Sequence, residues 1–179
     1  MQRVAELLKG AGVVKRGRFK LSSGKVSSVY VDLRILPSRP LAFREVIEEM
    51  AKVVEGWGFD AICGIAVGGL PMAACLAYRL LKPLIYLRRN RKDHGTGRIV
   101  EGDVEADASV LVVDDVATTG STLAWAVGIL RKQGYRVDRA LVVVDREEGA
   151  REKLREVGVE LVSLTTLREI LGGEIRAQG

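Results

Sequence analysis

Cysteine, histidine and aromatic residues are scarce in this chain of 179 residues, and each shortage excludes something. The two cysteines, Cys63 and Cys75, form no C-x-x-C pair and cluster with no histidine. Neither a dithiol redox motif nor a zinc site is supported, and buried thiols in a reducing compartment are expected. Three Phe, two Trp and four Tyr leave the core to Val, Leu, Ile and Ala. A single Asn beside many Arg and Glu is the balance expected of a thermophile. The first residues, MQRVAELLKG, carry charge from the third position and hold no apolar stretch of signal-peptide length, so a cytoplasmic protein is expected. The one long run without charge, Ala61 to Tyr78, is interrupted by GGLP (Gly68 to Pro71), which would break a membrane-spanning helix. It reads as a strand, a loop and a helix start.

The chain is instead moderately hydrophobic (47%), rich in charge (28%) and basic, with a net charge of +5. These values suit one soluble domain with an anionic partner, either nucleic acid or a small ligand rich in phosphate. Hydrophobic periodicity gives the order of elements. A short helix at Val4–Leu8 precedes a hairpin turning at Arg16–Gly17 and a strand at Val29–Leu33. A helix opening at Ser38–Pro40 carries Phe43, Val46, Ile47, Met50, Val53, Val54 and Trp57 at helical spacing. Strands at Ala61–Gly64, Leu84–Leu87, Ser109–Val113, Arg139–Val144 and Glu160–Leu164 alternate with helices at Leu70–Leu81, Ser121–Gln133 and Glu148–Val157. Arg88–Gly102 reads as a long loop or loose hairpin, and a short helix ends the chain. Buried strands alternating with helices predict one α/β domain, residues 1–179, with a parallel sheet covered on both faces and a small N-terminal extension.

Residues 110–122, VLVVDDVATTGST, carry the chemistry. An apolar strand runs into Asp114 and Asp115, and a loop of small residues and hydroxyls leads to a helix at Ser121. In an open parallel sheet, ligands bind beyond the carboxyl ends of the strands. A glycine-containing loop before a helix aims backbone N–H groups at an anion there. Gly120 permits close approach, and Thr118, Thr119, Ser121 and Thr122 offer hydroxyls. No Gly-Lys-Ser/Thr follows and no G-x-G-x-x-G is present, so neither a P-loop nor a dinucleotide turn fits. Two carboxylates beside a phosphate cradle suit neutral hydroxyls, or a Mg²⁺ that the ligand brings. A sugar phosphate meets both conditions.

This stretch resembles the 13-residue phosphoribosyl pyrophosphate (PRPP) motif of the type I phosphoribosyltransferases. The resemblance implies that family's fold, a central, mostly parallel sheet flanked by helices, with residues 1–36 as an N-terminal hood over the base pocket. It also implies displacement of pyrophosphate from PRPP by a nitrogenous base, with Mg²⁺. Asp114 and Asp115 would hold the ribose hydroxyls and, through them or water, the metal. Ala117, Thr118, Thr119, Gly120, Ser121 and Thr122 would wrap the 5′-phosphate.

Three further stretches narrow the base. RRNRKDHGTG (Arg88 to Gly97) gathers cations around the only histidine, as a site for a leaving pyrophosphate requires. It resembles the catalytic loop of orotate phosphoribosyltransferases, roughly R-K-x-x-K-x-H-G, which implies roles for Arg88, Arg89, Lys92 and His94. The likeness also implies a homodimer in which a flexible loop, 88–102, acts across the interface. Arg89 stands where that pattern has Lys, a change that keeps charge and alters geometry. VVVDREEGA (Val142 to Ala150) resembles the family's D-R-x-E-x-G setting, in which an Arg binds orotate, implying Arg146 with Thr118 nearby. FKLSSGKVSSVYVDLR (Phe19 to Arg34) resembles the N-terminal base-pocket segment and puts Tyr30 near the pyrimidine. Ser22 and Gly68 occupy positions where bacterial members have lysines that contact ligand. Orotate is the expected acceptor, with a purine or uracil transferase, or a PRPP-sensing regulator that binds nucleic acid, as the alternatives. The cations crowd near the proposed site and no helix-turn-helix precedes the domain, which favours the enzyme.

Overall fold

Leu111, Val113, Leu141 and Val143 are buried on one face of their strands, and Val110, Val112, Ala140 and Val142 on the other. Side chains alternate along a strand, so a sheet that buries both sets must be covered on both sides. The computed structural model describes residues 2–20, 26–88 and 99–172 and shows that arrangement. Six strands lie in the order β5-β4-β3-β6-β7-β8: β3 Ala61–Ile65, β4 Leu84–Leu87, β5 Val100–Glu101, β6 Val110–Ala117, β7 Arg139–Asp145 and β8 Glu160–Thr166. All neighbours are parallel except β5, which runs antiparallel to β4.

One face packs on α1 (Gln2–Gly10), α2 (Pro40–Val54), α3 (Gly69–Leu80) and α6 (Leu167–Ile170). The other packs on α4 (Ser121–Lys132) and α5 (Ala150–Glu156). In α2, Pro40 stands in the first turn, where its missing N–H costs no bond, and Val46, Ile47, Met50, Ala51 and Val54 form the buried stripe. The mostly parallel α/β architecture and the strand–loop–helix reading of Ala61–Tyr78 are both borne out. Among the described residues no helix is long and apolar enough to cross a membrane.

Several local expectations need correction. The helix opening at Ser38–Pro40 stops at Val54, short of Trp57, and the strand expected at Val29–Leu33 spans Val26–Val31, with Leu33 beginning a 3-10 turn. Arg16–Gly17 is not a hairpin turn. β1 runs unbroken over Val14–Lys20, with its pairing to β2 (Val26–Val31) shifting register between Arg16 and Phe19, so the irregularity is absorbed as a bulge. The strand expected to stop at Val113 continues through both aspartates to Ala117, because β7 offers partners as far as Asp145. Val100–Glu101 forms a two-residue edge strand within the segment read as a loop or loose hairpin. Residues 148 and 149 precede α5 rather than beginning it. Cys75 is only half-buried, whereas Cys63 is fully enclosed. Burial pushes the Cys63 thiol up to about 12 and raises that of Cys75 as well.

Candidate active site

The carboxyl ends of β3, β6 and β7 meet where two glycines bring a loop against the paired aspartates. A Cβ on Gly69 would lie 2.6 Å from the Asp114 Cα and 2.7 Å from the Val113 carbonyl oxygen, and one on Gly68 would lie 2.4 Å from Asp115 Oδ2. The loop after β3 therefore lies this close to β6 because Gly69 has no side chain, and a side chain at 68 would have to displace the Asp115 carboxylate. Asp114 is buried and Asp115 half-buried. Asp114 Oδ1 accepts from the Asp115 N–H at 3.0 Å, and Asp115 Oδ1 from the Val116 N–H at 2.9 Å. Each bond fixes a carboxylate against its own strand. Alternation puts Asp115 on the Val113 face of the sheet and Asp114 on the Val112 face.

From Ala117, which is buried, the chain turns through Thr118 and Thr119, both half-buried, into α4. Gly120 precedes that helix with φ at +78°, and a Cβ there would meet Ala150 Cα at 2.9 Å and Ala150 O at 3.0 Å. Thr119 Oγ1 and Ser121 Oγ lie 3.1 Å apart, and Ser121 is exposed while Thr122 is half-buried. Backbone N–H groups at a helix start, small side chains and hydroxyls together form an anion cradle. The residues expected from Asp114 to Thr122 are thus contiguous at one end of the sheet.

Arg146 follows β7 and is buried. Its backbone N–H donates to the Ala117 carbonyl at 2.9 Å, tying it to the cradle. Its Nε donates to Glu148 Oε1 at 2.8 Å, its Nη2 to Ser27 Oγ at 3.3 Å and its Nη1 to the Val29 carbonyl at 3.5 Å. The guanidinium therefore joins the sheet to the N-terminal hairpin, a role the local sequence does not disclose. Glu148, not singled out in the sequence, holds it. Glu148 Oε2 is the one buried side-chain oxygen among the described residues without a hydrogen-bond partner. Asp145 is structural: Oδ1 accepts from the Glu147 N–H and Oδ2 from Arg151 Nε, fixing α5 to the strand end.

On the hairpin, Tyr30 stacks on Phe19 with ring centroids 5.4 Å apart, and its hydroxyl accepts from Arg34 Nη2 at 2.9 Å. Asp32, which is buried, accepts from Arg34 Nε at 3.0 Å and from Lys15 Nζ at 3.1 Å. Burial pushes the Asp32 carboxyl up, and the hydrogen bonds from Arg34 and Lys15 more than offset it, so the net shift is downward. Arg34 is held above the ordinary arginine value mainly by its bond to Asp32, with the Asp115 charge adding at longer range. Arg34 went unnoticed in the sequence, although Tyr30, Asp32 and Arg34 recur at every second position.

Arg88 sits at the base of the basic segment, its N–H donating to the Ile99 carbonyl at 3.0 Å and its guanidinium 3.8 Å from Glu101. Arg89, Lys92 and His94 lie outside the described residues, as does Ser22. Among the described residues no group of three acidic, histidine or cysteine side chains could hold a metal ion.

The fold and the cradle define a phosphoribosyl transferase domain, and the family model of that description matches residues 35–163. An orotate phosphoribosyltransferase of Sulfolobus acidocaldarius is 48% identical over 161 residues, covering 90% of this chain and 81% of that protein. The enzyme of that name from Aeropyrum pernix is 49% identical over 181 residues, covering 96% of this chain and 95% of its own. The crystal structure of orotate phosphoribosyltransferase from Aeropyrum pernix superimposes with a TM-score of 0.84 at 46% identity, covering 94% of this chain and 97% of that one. The chain belongs to the orotate phosphoribosyltransferase family, and is an enzyme of pyrimidine biosynthesis.

Proposed function

We propose that this enzyme transfers the phosphoribosyl group of PRPP to N1 of orotate, giving orotidine 5′-monophosphate and pyrophosphate, with Mg²⁺. The observation that carries the reading is the cradle itself. Two aspartates and a hydroxyl-rich helix start share one strand end, and Arg146 is bonded to the same loop. Asp114 and Asp115 accept from the ribose hydroxyls, and Ala117 to Thr122 receive the 5′-phosphate. Thr118, Arg146 and Tyr30 border the base. The Arg146 bonds to Ser27 and Val29 are long, so a carboxylate able to take two short charge-assisted bonds would displace them favourably.

Mg²⁺ typically binds through one or two carboxylates, waters and substrate phosphates. The Asp114–Asp115 pair fits such an ion, held through water or the ribose hydroxyls, whose charge would offset that of the leaving pyrophosphate. Positioning and electrostatics supply most of the acceleration, since the reaction asks chiefly that charge on pyrophosphate be stabilised in a site closed to water. Arg88, Arg89, Lys92 and His94 serve that end from the 88–102 segment, which we place across the interface of a homodimer in the cytoplasm. The test offers PRPP and Mg²⁺ with orotate, uracil or adenine in separate reactions, measuring base consumed and pyrophosphate released. Equal amounts of both with orotate alone support the reading; turnover of another base in preference to orotate overturns it.

A further inference from the structure

We propose that Arg34 holds the pyrophosphate group of PRPP, supplying a cation that Gly68 does not. The proposal rests on the reading of the site as a PRPP site. Arg34 lies in the 3-10 turn Leu33–Ser38, which packs against β6 and buries Leu33 and Leu36 in the same core as Val113. Asp115 follows Val113 on that face of the strand, so the turn and this aspartate share one side of the sheet. Gly68 faces the same carboxylate: a Cβ there would lie 2.4 Å from Asp115 Oδ2, so any side chain would have to push that carboxylate aside. With glycine at 68, the loop after β3 offers a ligand only backbone groups at that point and no cation.

Arg34 is built to provide it. Its Nε is fixed by Asp32 and one Nη by the Tyr30 hydroxyl, and its side chain remains 59% exposed. Two of the five guanidinium N–H groups are thereby used, and the others can meet phosphate oxygens in a fixed orientation. The charge balance agrees. Asp32 is one carboxylate shared by two cations, Lys15 and Arg34, so the cluster carries surplus positive charge. Asp115 lies within electrostatic reach of this guanidinium. A ribose held by the aspartates presents its C1 substituent beside them, and a diphosphate there would meet the surplus charge.

The test compares binding of pyrophosphate and of ribose 5-phosphate, both with Mg²⁺, to the wild type, Arg34→Gln and Arg34→Lys by calorimetry. Loss of a charge-assisted pair predicts a weakening for pyrophosphate of about 10- to 100-fold in Arg34→Gln. Ribose 5-phosphate affinity should stay within about twofold, since the cradle that takes the 5′-phosphate is untouched. Arg34→Lys should recover part of the loss, and the KM for PRPP should rise while that for orotate holds. Unchanged pyrophosphate binding in Arg34→Gln overturns the assignment, as does an equal loss for both ligands, the mark of a merely structural role. A wild type that binds pyrophosphate but leaves orotate untouched defeats the proposed reaction and not this assignment, so the two fail separately.

Discussion

Replacing Gly120 by alanine tests whether the cradle has its shape for the reason given. At φ +78° an L-residue pays roughly 1–2 kcal/mol for the left-handed backbone. The new methyl would also press on Ala150 Cα at 2.9 Å, Ala150 O at 3.0 Å and Leu154 Cδ2 at 3.3 Å. Two of these atoms are backbone and cannot rotate away, so overpacking adds about 1–3 kcal/mol. Restricting the unfolded chain returns roughly 0.4–1 kcal/mol, which leaves a net loss of about 2–4 kcal/mol. Gly134 is the control. Its φ is +92° and nothing lies within 4 Å of its Cβ position, so only the backbone cost applies and the net loss is about 1 kcal/mol. At this chain length a kcal/mol moves Tm by about 2–4 °C. Thermal unfolding followed by circular dichroism should show a fall of roughly 5–15 °C for Gly120→Ala and about 2–4 °C for Gly134→Ala. Equal shifts in the two variants would refute the contact argument, and with it the claim that α5 sets how the loop can lie.

Three further outcomes follow from the packing around the site. Glu148→Ala should destabilise the fold by about 3 kcal/mol in denaturant titrations, because it leaves the buried Arg146 guanidinium without its carboxylate. Glu148→Gln, which keeps an acceptor, should lose less. In the native protein Cys75 should react with an aromatic disulfide reagent at pH 8 well before Cys63, whose thiol is enclosed and pushed up to about 12. Simultaneous reaction of both would contradict the burial. Asp32 has a folded-state value below its unfolded one, so its contribution is complete above about pH 4 and is lost as the pH falls through the lowered value. The Tm gap between wild type and Asp32→Asn should be widest near neutrality and close below about pH 4; a gap that widens with acid would reverse the sign.

Much of this was legible because local pattern and global fold agree. Leu84–Leu87 is found as a strand at the residues that alternation predicts, and α2 buries Val46, Ile47, Met50 and Val54 of the stripe its period marks. The cradle was legible because its chemistry is contiguous: strand, aspartates, hydroxyls and helix start follow one another in 13 residues. What escaped depends on partners distant in the chain. β6 extends to Ala117 because Asp145 pairs with it, and no local feature of Val116 announces that. β5 is two residues long and exists only as a partner for Tyr86 and Leu87. Arg146 was chosen for its ligand chemistry, but its ties to Ser27 and Val29 span 119 and 117 residues. Arg34 escaped because the Asp115 charge that bears on it comes from a strand distant in the chain.

The central claim is that the strand end bearing Asp114 and Asp115 receives PRPP and that this chain passes its phosphoribosyl group to orotate. The direct measurement follows orotate absorbance in the purified protein with PRPP and Mg²⁺, beside samples lacking either one and beside Asp114→Asn/Asp115→Asn. The account predicts orotate loss that requires both PRPP and Mg²⁺ and falls by at least about 100-fold in the double variant, as losing two hydrogen bonds to charged groups implies. No loss of orotate in the wild type, or undiminished loss without the two carboxylates, would contradict it.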